Sequence, residues 1–363
     1  MSDDELNTRT PERPVHMRHS SSHDRSGRAG AAQVKLAVII TCFNYSRFVD
    51  RAIESVLSQD CVDCQLIVID DGSTDDSWDV ICRRNVQAFR IPNSGQRKAC
   101  LYALQQTNAP FVLFLDADDE LLPGSLDLIV ACLDERVAKL QFPLTRIDGD
   151  GHMISGPAPE LKAFRGRDLV GRVLRTGVYA TPPTSGNVFR RDVCDFLQEA
   201  DYDEAVDGVI LFVAPFLGEI VSLSQPLGLY RVHGSNDSAF GGELNVRTLR
   251  RDRERFGKRM EHLRQILPLC GYRSGLIATE HAYFHRERSL YIAVAENRWV
   301  PVSDIVGLLR RLWGDGYPFR MKIIMTAFFV TIAAFPRARA RRALEYRLGA
   351  GPRSAWGFVK ALI

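Results

Sequence analysis

This 363-residue chain has no strong charge of either sign, no internal repeat and no apolar core near its start. Its net charge of +3 with 25% charged residues is an ordinary globular balance that argues neither for nor against nucleic acid, and no nucleic-acid partner is expected. Residues 1–33, "MSDDELNTRTPERPVHMRHSSSHDRSGRAGAAQ", lack the apolar run of a signal peptide and any helical or strand periodicity. They are expected to form a disordered tail. Only one closely spaced cysteine pair occurs, "CVDC" at Cys61–Cys64, and without a second pair it makes no zinc site. The thiols are therefore expected to be free, small residues of a surface loop in a reduced compartment. The apolar stretch "IIMTAFFVTIAAF", Ile323–Phe335, has thirteen uncharged residues between Lys322 and Pro336. A bilayer-spanning helix needs ~20, so this stretch is a core helix or one lying in a membrane surface. The flanking "RMK" and "PRARARR" favour the second reading, because Arg and Lys clusters are drawn to anionic lipid.

What is present is a regular alternation. "VKLAVIITCFN", "QLIVIDDGS", "AFRIP" and "FVLFLD" have the short β-branched or apolar runs of buried strands. Between them "SRFVDRAIESVLSQ", a segment from about Asp75, and "QRKACLYALQQT" carry helical spacing. Strands alternating with helices over about 85 residues predict an α/β fold, a mostly parallel sheet with helices on both faces. Ligands bind such sheets beyond the carboxyl ends of the strands, where "TCFN", "DDGS" and "DADD" collect here. After Leu140 the pattern loosens through "TPPTSGNVFRRDV" and "DGVILFVAPFLGEIVSLSQPLGLYRVHGSNDS". Beyond Ser238 the chain reads as mainly helical, with basic amphipathic stretches at Arg247–Leu267 and His281–Ala295. Seven Arg or Lys and one acid follow from Arg337 onward.

The sharpest chemical feature is "FVLFLDADDELLP", with four acids in the five residues after the apolar run. Carboxylates crowded at a buried strand end repel one another and are costly without compensation. Asp116 and Asp118, two apart on an extended segment, would face one hard cation whose open positions phosphate oxygens fill. An acidic turn accounts for such a stretch equally well when it stands alone.

It does not stand alone. "VIITCFNYSRFVDRAIESVLSQ", "IVIDDGSTDDS", "NSGQRKA" and "FLDADDELLPGSL" follow in close order. Together they resemble the family 2 glycosyltransferases, nucleotide-sugar-dependent enzymes of the GT-A fold, over about Val34–Ser238. The resemblance implies an inverting, metal-dependent hexosyltransferase using Mn or Mg, with a UDP-sugar as the expected donor and a saccharide or lipid-linked hydroxyl as acceptor. By the same resemblance Thr41, Asn44 and Asp71 lie at the nucleoside, and Asn93, Gly95, Arg97 and Lys98 near the donor. Asp116 would lie at ribose and metal, with Asp118 and His233 as metal ligands. Gly186 and Asn187 fall near the sugar, and Arg231 near the diphosphate. Asp207, eleven residues before Gly218, matches the catalytic base. Two positions depart from the pattern: Leu101 replaces an Asn, and Val206 replaces a Glu before the base.

The expected organisation is a tail at 1–33, a GT-A domain at 34–240 and a helical region at 241–363, with a membrane-surface segment at 319–347. The expected setting is the cytoplasm or the cytoplasmic face of an inner membrane, in envelope polysaccharide or glycolipid synthesis. A haloacid-dehalogenase phosphatase is excluded by context, since Glu120 stands where that motif needs Thr or Val and the strand falls late in the sheet. A catalytically silent GT-A domain serving as a membrane-associated binding protein is the alternative, supported only by Leu101 and Val206.

Overall fold

A computed structural model describes residues 34–203, 205–233, 244–272, 275–349 and 357. The tail expected at 1–33 and the motif residues after His233 lie outside the described residues. The predicted alternation is realised in order: β1 (Leu36–Cys42), α1 (Val49–Leu57), β2 (Cys64–Asp70), α2 (Ser77–Cys82), β3 (Gln87–Arg90), α3 (Gln96–Leu104) and β4 (Phe111–Asp116). These four strands are parallel in the order β3-β2-β1-β4, so the chain leaves β1 toward one side and returns on the other at β4. That reversal opens a crevice at the carboxyl ends of β1 and β4, where Thr41 pairs in register with Asp116.

The middle of the chain extends the sheet with short, mixed strands. It comprises β5 (Glu120–Leu121), α4 (Ser125–Cys132), β6 (Val137–Gln141), β7 (Leu144–Ile147), β8 (Met153–Ala158), β9 (Phe164–Gly166), α5 (Leu169–Thr176), β10 (Asn187–Arg190), α6 (Arg191–Cys194), α7 (Val209–Leu217), β11 (Glu219–Ser222) and β12 (Gly228–Arg231). The large sheet continues β4-β10-β6-β11-β9, with β10 antiparallel to both neighbours. A second sheet, β5-β12-β7-β8, closes over the acidic end of β4.

The period-two alternation of the central strands decides which residues meet which helices. Ile39, Ile67, Ile69, Val112 and Phe114 pack on the side of α3 and α7, while Val38, Ile40, Val68, Leu113 and Leu115 pack on the side of α1 and α4. Val206 is fully buried in the first of these layers, and Leu101 packs against it. Where the family pattern has polar side chains, these two positions serve the core.

After residue 244 the described residues form helices: α8 (Val246–Ile266), α9 (Tyr283–Ala295), α10 (Val302–Gly314), α11 (Phe319–Ala334) and α12 (Arg337–Leu348). Asn245 caps α8, its side-chain oxygen accepting from the backbone of Arg247 and Thr248. This long helix lies against α7, and Arg255 and Arg259 clamp the buried Asp203 carboxylate from it at 2.9 and 2.6 Å. The stretch Ile323–Phe335 lies in α11 as far as Ala334, and that helix is partly buried and partly exposed. One face of α11 buries Met325, Phe328, Phe329 and Ile332, while Phe319, Ile323, Ile324 and Val330 remain exposed. No helix among the described residues is long and apolar enough to cross a membrane. One expectation is corrected outright. Cys61 and Cys64 form a disulfide, because the turn before β2 brings their Cα atoms to 5.4 Å.

Candidate active site

The acidic cluster is built by a turn, not by a strand. β4 ends at Asp116, and the Asp119 amide donates back to the Asp116 carbonyl at 3.0 Å. Asp116 and Asp118 therefore do not project from one extended segment, which corrects the expectation drawn from their spacing. Asp119, unnoticed in the sequence, becomes the pivot of the cluster. It is fully buried; its carboxylate accepts from Ser185 Oγ at 2.6 Å and from the Arg231 amide at 2.9 Å. Burial pushes its pKa well above the usual range, and the charges of Asp118 and Asp116 push in the same direction. Ser185 also accepts from the Asp116 amide at 3.1 Å, and Gln96 Nε2 donates to Asp116 Oδ1 at 2.7 Å.

Asp118 faces His233, with Oδ2 and Nε2 2.9 Å apart. The imidazole stacks on Phe48 at 5.0 Å and meets the Tyr45 ring edge-on at 5.9 Å, which fixes its orientation. The pair fits a hard divalent ion on two counts. A carboxylate oxygen with an imidazole nitrogen suits Mn, and adjacent ligands of an octahedral ion with ~2.1 Å bonds stand about 3.0 Å apart. The surplus of acids around Asp119 supplies the field. Asp116 does not close on the pair. Among the described residues the one trio of metal-ligand types within 4.8 Å is Asp148, Asp150 and His152, in the turn between β7 and β8. Turn bonds account for that trio, since Asp148 Oδ1 accepts from the amides of Asp150 and His152, and Asp150 pairs with Arg47.

Arg231 closes β12. It is completely buried, donating to the carbonyls of Asp118 and Asp148 and to the Glu120 carboxylate. These contacts lock the acidic turn to β12.

On the nucleoside side, Thr41 is the next-to-last residue of β1 and Asn44 follows in the left-handed region at φ 60°. Asn44 Oδ1 accepts from the Thr74 amide at 2.8 Å and so ties two loops together. Buried Asp71 pins the 93–95 loop, taking Ser94 N on Oδ1 and Gly95 N on Oδ2, both at 2.8 Å. Gly72 permits this approach at φ +73°, since a Cβ there would sit 2.6 Å from the Asn93 nitrogen. Asn93 and Lys98 are exposed at the loop and the start of α3. Arg97 is not. It turns inward to the Leu197 carbonyl at 2.9 Å, a correction to its expected place at the donor. On α3, Lys98 is exposed while Arg97 falls on the buried face.

Asp207 is half-buried just ahead of α7. Gly186 is buried against Pro182 and the Phe142 carbonyl, with no room for a Cβ. Asn187 is buried too, and its Nδ2 donates to the carbonyls of Pro182 and Pro183 at 3.2 and 2.8 Å. Both residues shape the 182–187 loop that carries Ser185 to the acids.

A family model for glycosyl transferase family 2 matches residues 37–195, which spans the crevice from β1 through β10. Residues 37–195 belong to glycosyl transferase family 2. An uncharacterized glycosyltransferase of Nostoc sp. is 36% identical over 219 residues, 56% of this chain and 66% of that protein. The GalNAc(5)-diNAcBac-PP-undecaprenol beta-1,3-glucosyltransferase of Campylobacter jejuni is 33% identical over 146 residues, 37% of this chain and 43% of the relative. The match thus covers less than two thirds of either relative's length. Among solved structures, S. aureus TarS 1–349 in complex with UDP-GlcNAc superposes with a TM-score of 0.50 at 15% identity, covering 90% of this chain and 89% of that one. That likeness establishes the GT-A fold.

In the family 2 domain, sequence reasoning missed Gln96, Asp119, Ser185 and Lys139. Gln96 and Asp119 sat inside quoted motifs without a role. Ser185 is a small hydroxyl in a loop, with no spacing to single it out. Lys139 lies in an apolar strand, and a charge at an inward position is itself a signal.

Proposed function

We propose that this chain is an inverting glycosyltransferase that moves a sugar from a nucleotide-diphosphate-sugar to an acceptor hydroxyl. The observation that carries the reading is the Asp118–His233 pair beyond the end of β4, beside the Asp116 and Asp119 carboxylates that the Ser185 hydroxyl bridges. A divalent cation bound there supplies Lewis-acid neutralisation of the diphosphate. Asp118 and His233 would hold it, with Asp116 beside them. Asp207 takes the proton from the acceptor hydroxyl as that oxygen attacks the anomeric carbon. Asp71 and Asn44 keep the nucleoside-side loops in place. A UDP-sugar donor is supported by the UDP-GlcNAc in the TarS complex. A role in envelope polysaccharide or glycolipid assembly is supported by the undecaprenol-linked substrate in the Campylobacter relative's name.

The site is tested by calorimetry of UDP with Mn. Asp118→Ala should abolish metal-dependent nucleotide binding while unfolding stays cooperative. Unchanged binding would defeat the assignment.

We also propose that the helical region at 241–363 holds the enzyme on an anionic membrane surface through the segment 319–347. The exposed face of α11 is apolar at Phe319, Ile323, Ile324 and Val330, and Arg320 is exposed beside it. Trp313 packs edge-on against Phe319 at 6.1 Å, and Arg339 and Arg342 are exposed on α12. An apolar stripe with basic neighbours suits the headgroup boundary of a bilayer.

A further inference from the structure

Three arginines of the helical region share a cavity and lack a carboxylate. Arg286, Arg310 and Arg311 line a space of about 330 Å³ between α9 and α10, together with His281 and Gly307. Among the described residues none of the three has an acid within ion-pair distance, whereas Arg250 and Arg298 pair with Glu296, and Arg288 with Glu287. Glu287, next to Arg286, also accepts from the hydroxyls of Tyr283 and Tyr291. Buried Asp315, just after α10, feels Arg311 but also Arg172, Arg175 and Lys322, so one carboxylate answers four cations. Glu280 and Asp304 are exposed and line none of the cavity.

The side chains around this space offer donors. Arg286 Nη2 lies 2.9 Å from His281 Nδ1. A guanidinium can only donate, so Nδ1 accepts and the imidazole carries its proton on Nε2. Arg286 Nε is buried and meets no acceptor. Such a set of N–H groups suits a charged group with several acceptor oxygens, as a phosphate has. Gly307 serves the same arrangement. A glycine inside a helix weakens it relative to alanine, but here a Cβ would overlap the Arg286 guanidinium, 3.0 Å from its Cζ. The missing side chain lets the cation lie against the backbone of α10.

The cavity borders the apolar surface described above. Val302, Val306, Arg310 and Trp313 follow one another at steps of four, four and three residues along α10, so they share one face, and all are exposed. Trp313 continues that face to Phe319 of α11. Arg310 thus belongs both to the cavity and to the exposed apolar face. We propose that the cavity between α9 and α10 is a binding site for the phosphate of an anionic phospholipid, held by Arg286, Arg310 and Arg311 with His281 Nε2–H as a further donor. That the phosphate comes from a lipid rests on the membrane-surface reading. A bilayer that takes up the valines and Trp313 brings its headgroup phosphates to Arg310.

Co-sedimentation of the full chain with phosphatidylglycerol vesicles at fixed salt tests the site. Gly307→Ala keeps every charge and favours the helix, so its thermal stability should equal or exceed that of the wild type. Its displaced guanidinium should nevertheless weaken vesicle binding about tenfold. Arg286→Gln with Arg310→Gln should weaken binding more than Arg320→Gln with Arg339→Gln, which removes the same charge from exposed positions outside the cavity. Equal losses in the two pairs, or a stable Gly307→Ala that binds as the wild type does, defeat the cavity and leave the membrane surface standing. Wild-type protein that ignores the vesicles defeats the membrane surface, and the lipid source with it. Release of bound protein by millimolar inorganic phosphate at constant ionic strength overturns the lipid assignment in favour of free phosphate.

Discussion

The two halves of the molecule place charge in opposite ways. In the sheet half, Asp119, Lys139 and Arg231 are fully buried, and Asp118 nearly so, all at or near the crevice. In the helical half the interior is apolar around Leu290, Leu308, Leu312, Phe329 and Ile332; of its two buried acids, Glu287 and Asp315, the first accepts from the hydroxyls of Tyr283 and Tyr291. Ion pairs such as Arg341–Glu345 sit at the surface, where each adds little. The helical half also exposes apolar surface that the sheet half does not match. Buried charge is costly for folding, so its concentration in one half marks where chemistry is done. The other half is built for packing and contact.

The comparison breaks most visibly at Asp207. Asp207→Asn retains shape without basicity, so turnover should fall about 10²- to 10⁴-fold while nucleotide binding persists. Steady-state rates at saturating substrate, with calorimetry of UDP, measure both. Wild-type turnover would remove Asp207 from the chemistry.

Phe329→Ala tests the packing half. The side chain is fully buried in the helical core, and its truncation should cost about 3–5 kcal/mol in urea unfolding. Nucleotide affinity per folded molecule should be unaffected. A loss of affinity without a loss of stability would mean that the two halves are not divided in this way.

Ile323→Glu with Ile324→Glu addresses contact. Both side chains are exposed, so stability should change by no more than about 0.5 kcal/mol each. Binding to anionic vesicles should nevertheless be lost, and wild-type binding should weaken as salt rises. Full-length protein that stays in the supernatant at low salt rules the membrane surface out.

The smallest effect is a pH dependence. The folded lysine at 139 has a pKa below its unfolded value, so between that folded value and 10.5 the unfolded chain binds more protons. The Lys139 contribution to stability should therefore rise with pH in that window. Urea midpoints of wild type against Lys139→Met should diverge in favour of wild type as pH approaches 10.5. A constant difference would show that Lys139 does not titrate there.

How much of this was legible beforehand differs by kind of residue. The strands β1, β2 and β4 announced themselves because buried parallel strands need uninterrupted apolar runs. Asp118 and His233 were found as a pair only through motif resemblance, since 115 positions separate them and no periodicity links them. The buried settings of Arg97 and Arg231 were not legible for one reason. A cation in a motif was taken to face the ligand, but each guanidinium found backbone carbonyls that needed a donor. Val206 and Leu101, departures from the family pattern, turned out to belong to the core.

By itself, then, the sequence determined the alternation of strands and helices, the edge at which polar residues gather, and the kind of chemistry that edge supports. These follow from local periodicity and from residue types that fold only when their apolar faces are covered. Only the tertiary structure decided which charges face one another. Whether Asp118 meets His233, whether Asp119 is caged, and whether Lys139 is enclosed by Tyr179 and Thr181 depend on strands and loops far apart in the chain. The energy of a charge is set by the dielectric and the hydrogen-bond partners around it, and those exist only once the distant segments have packed.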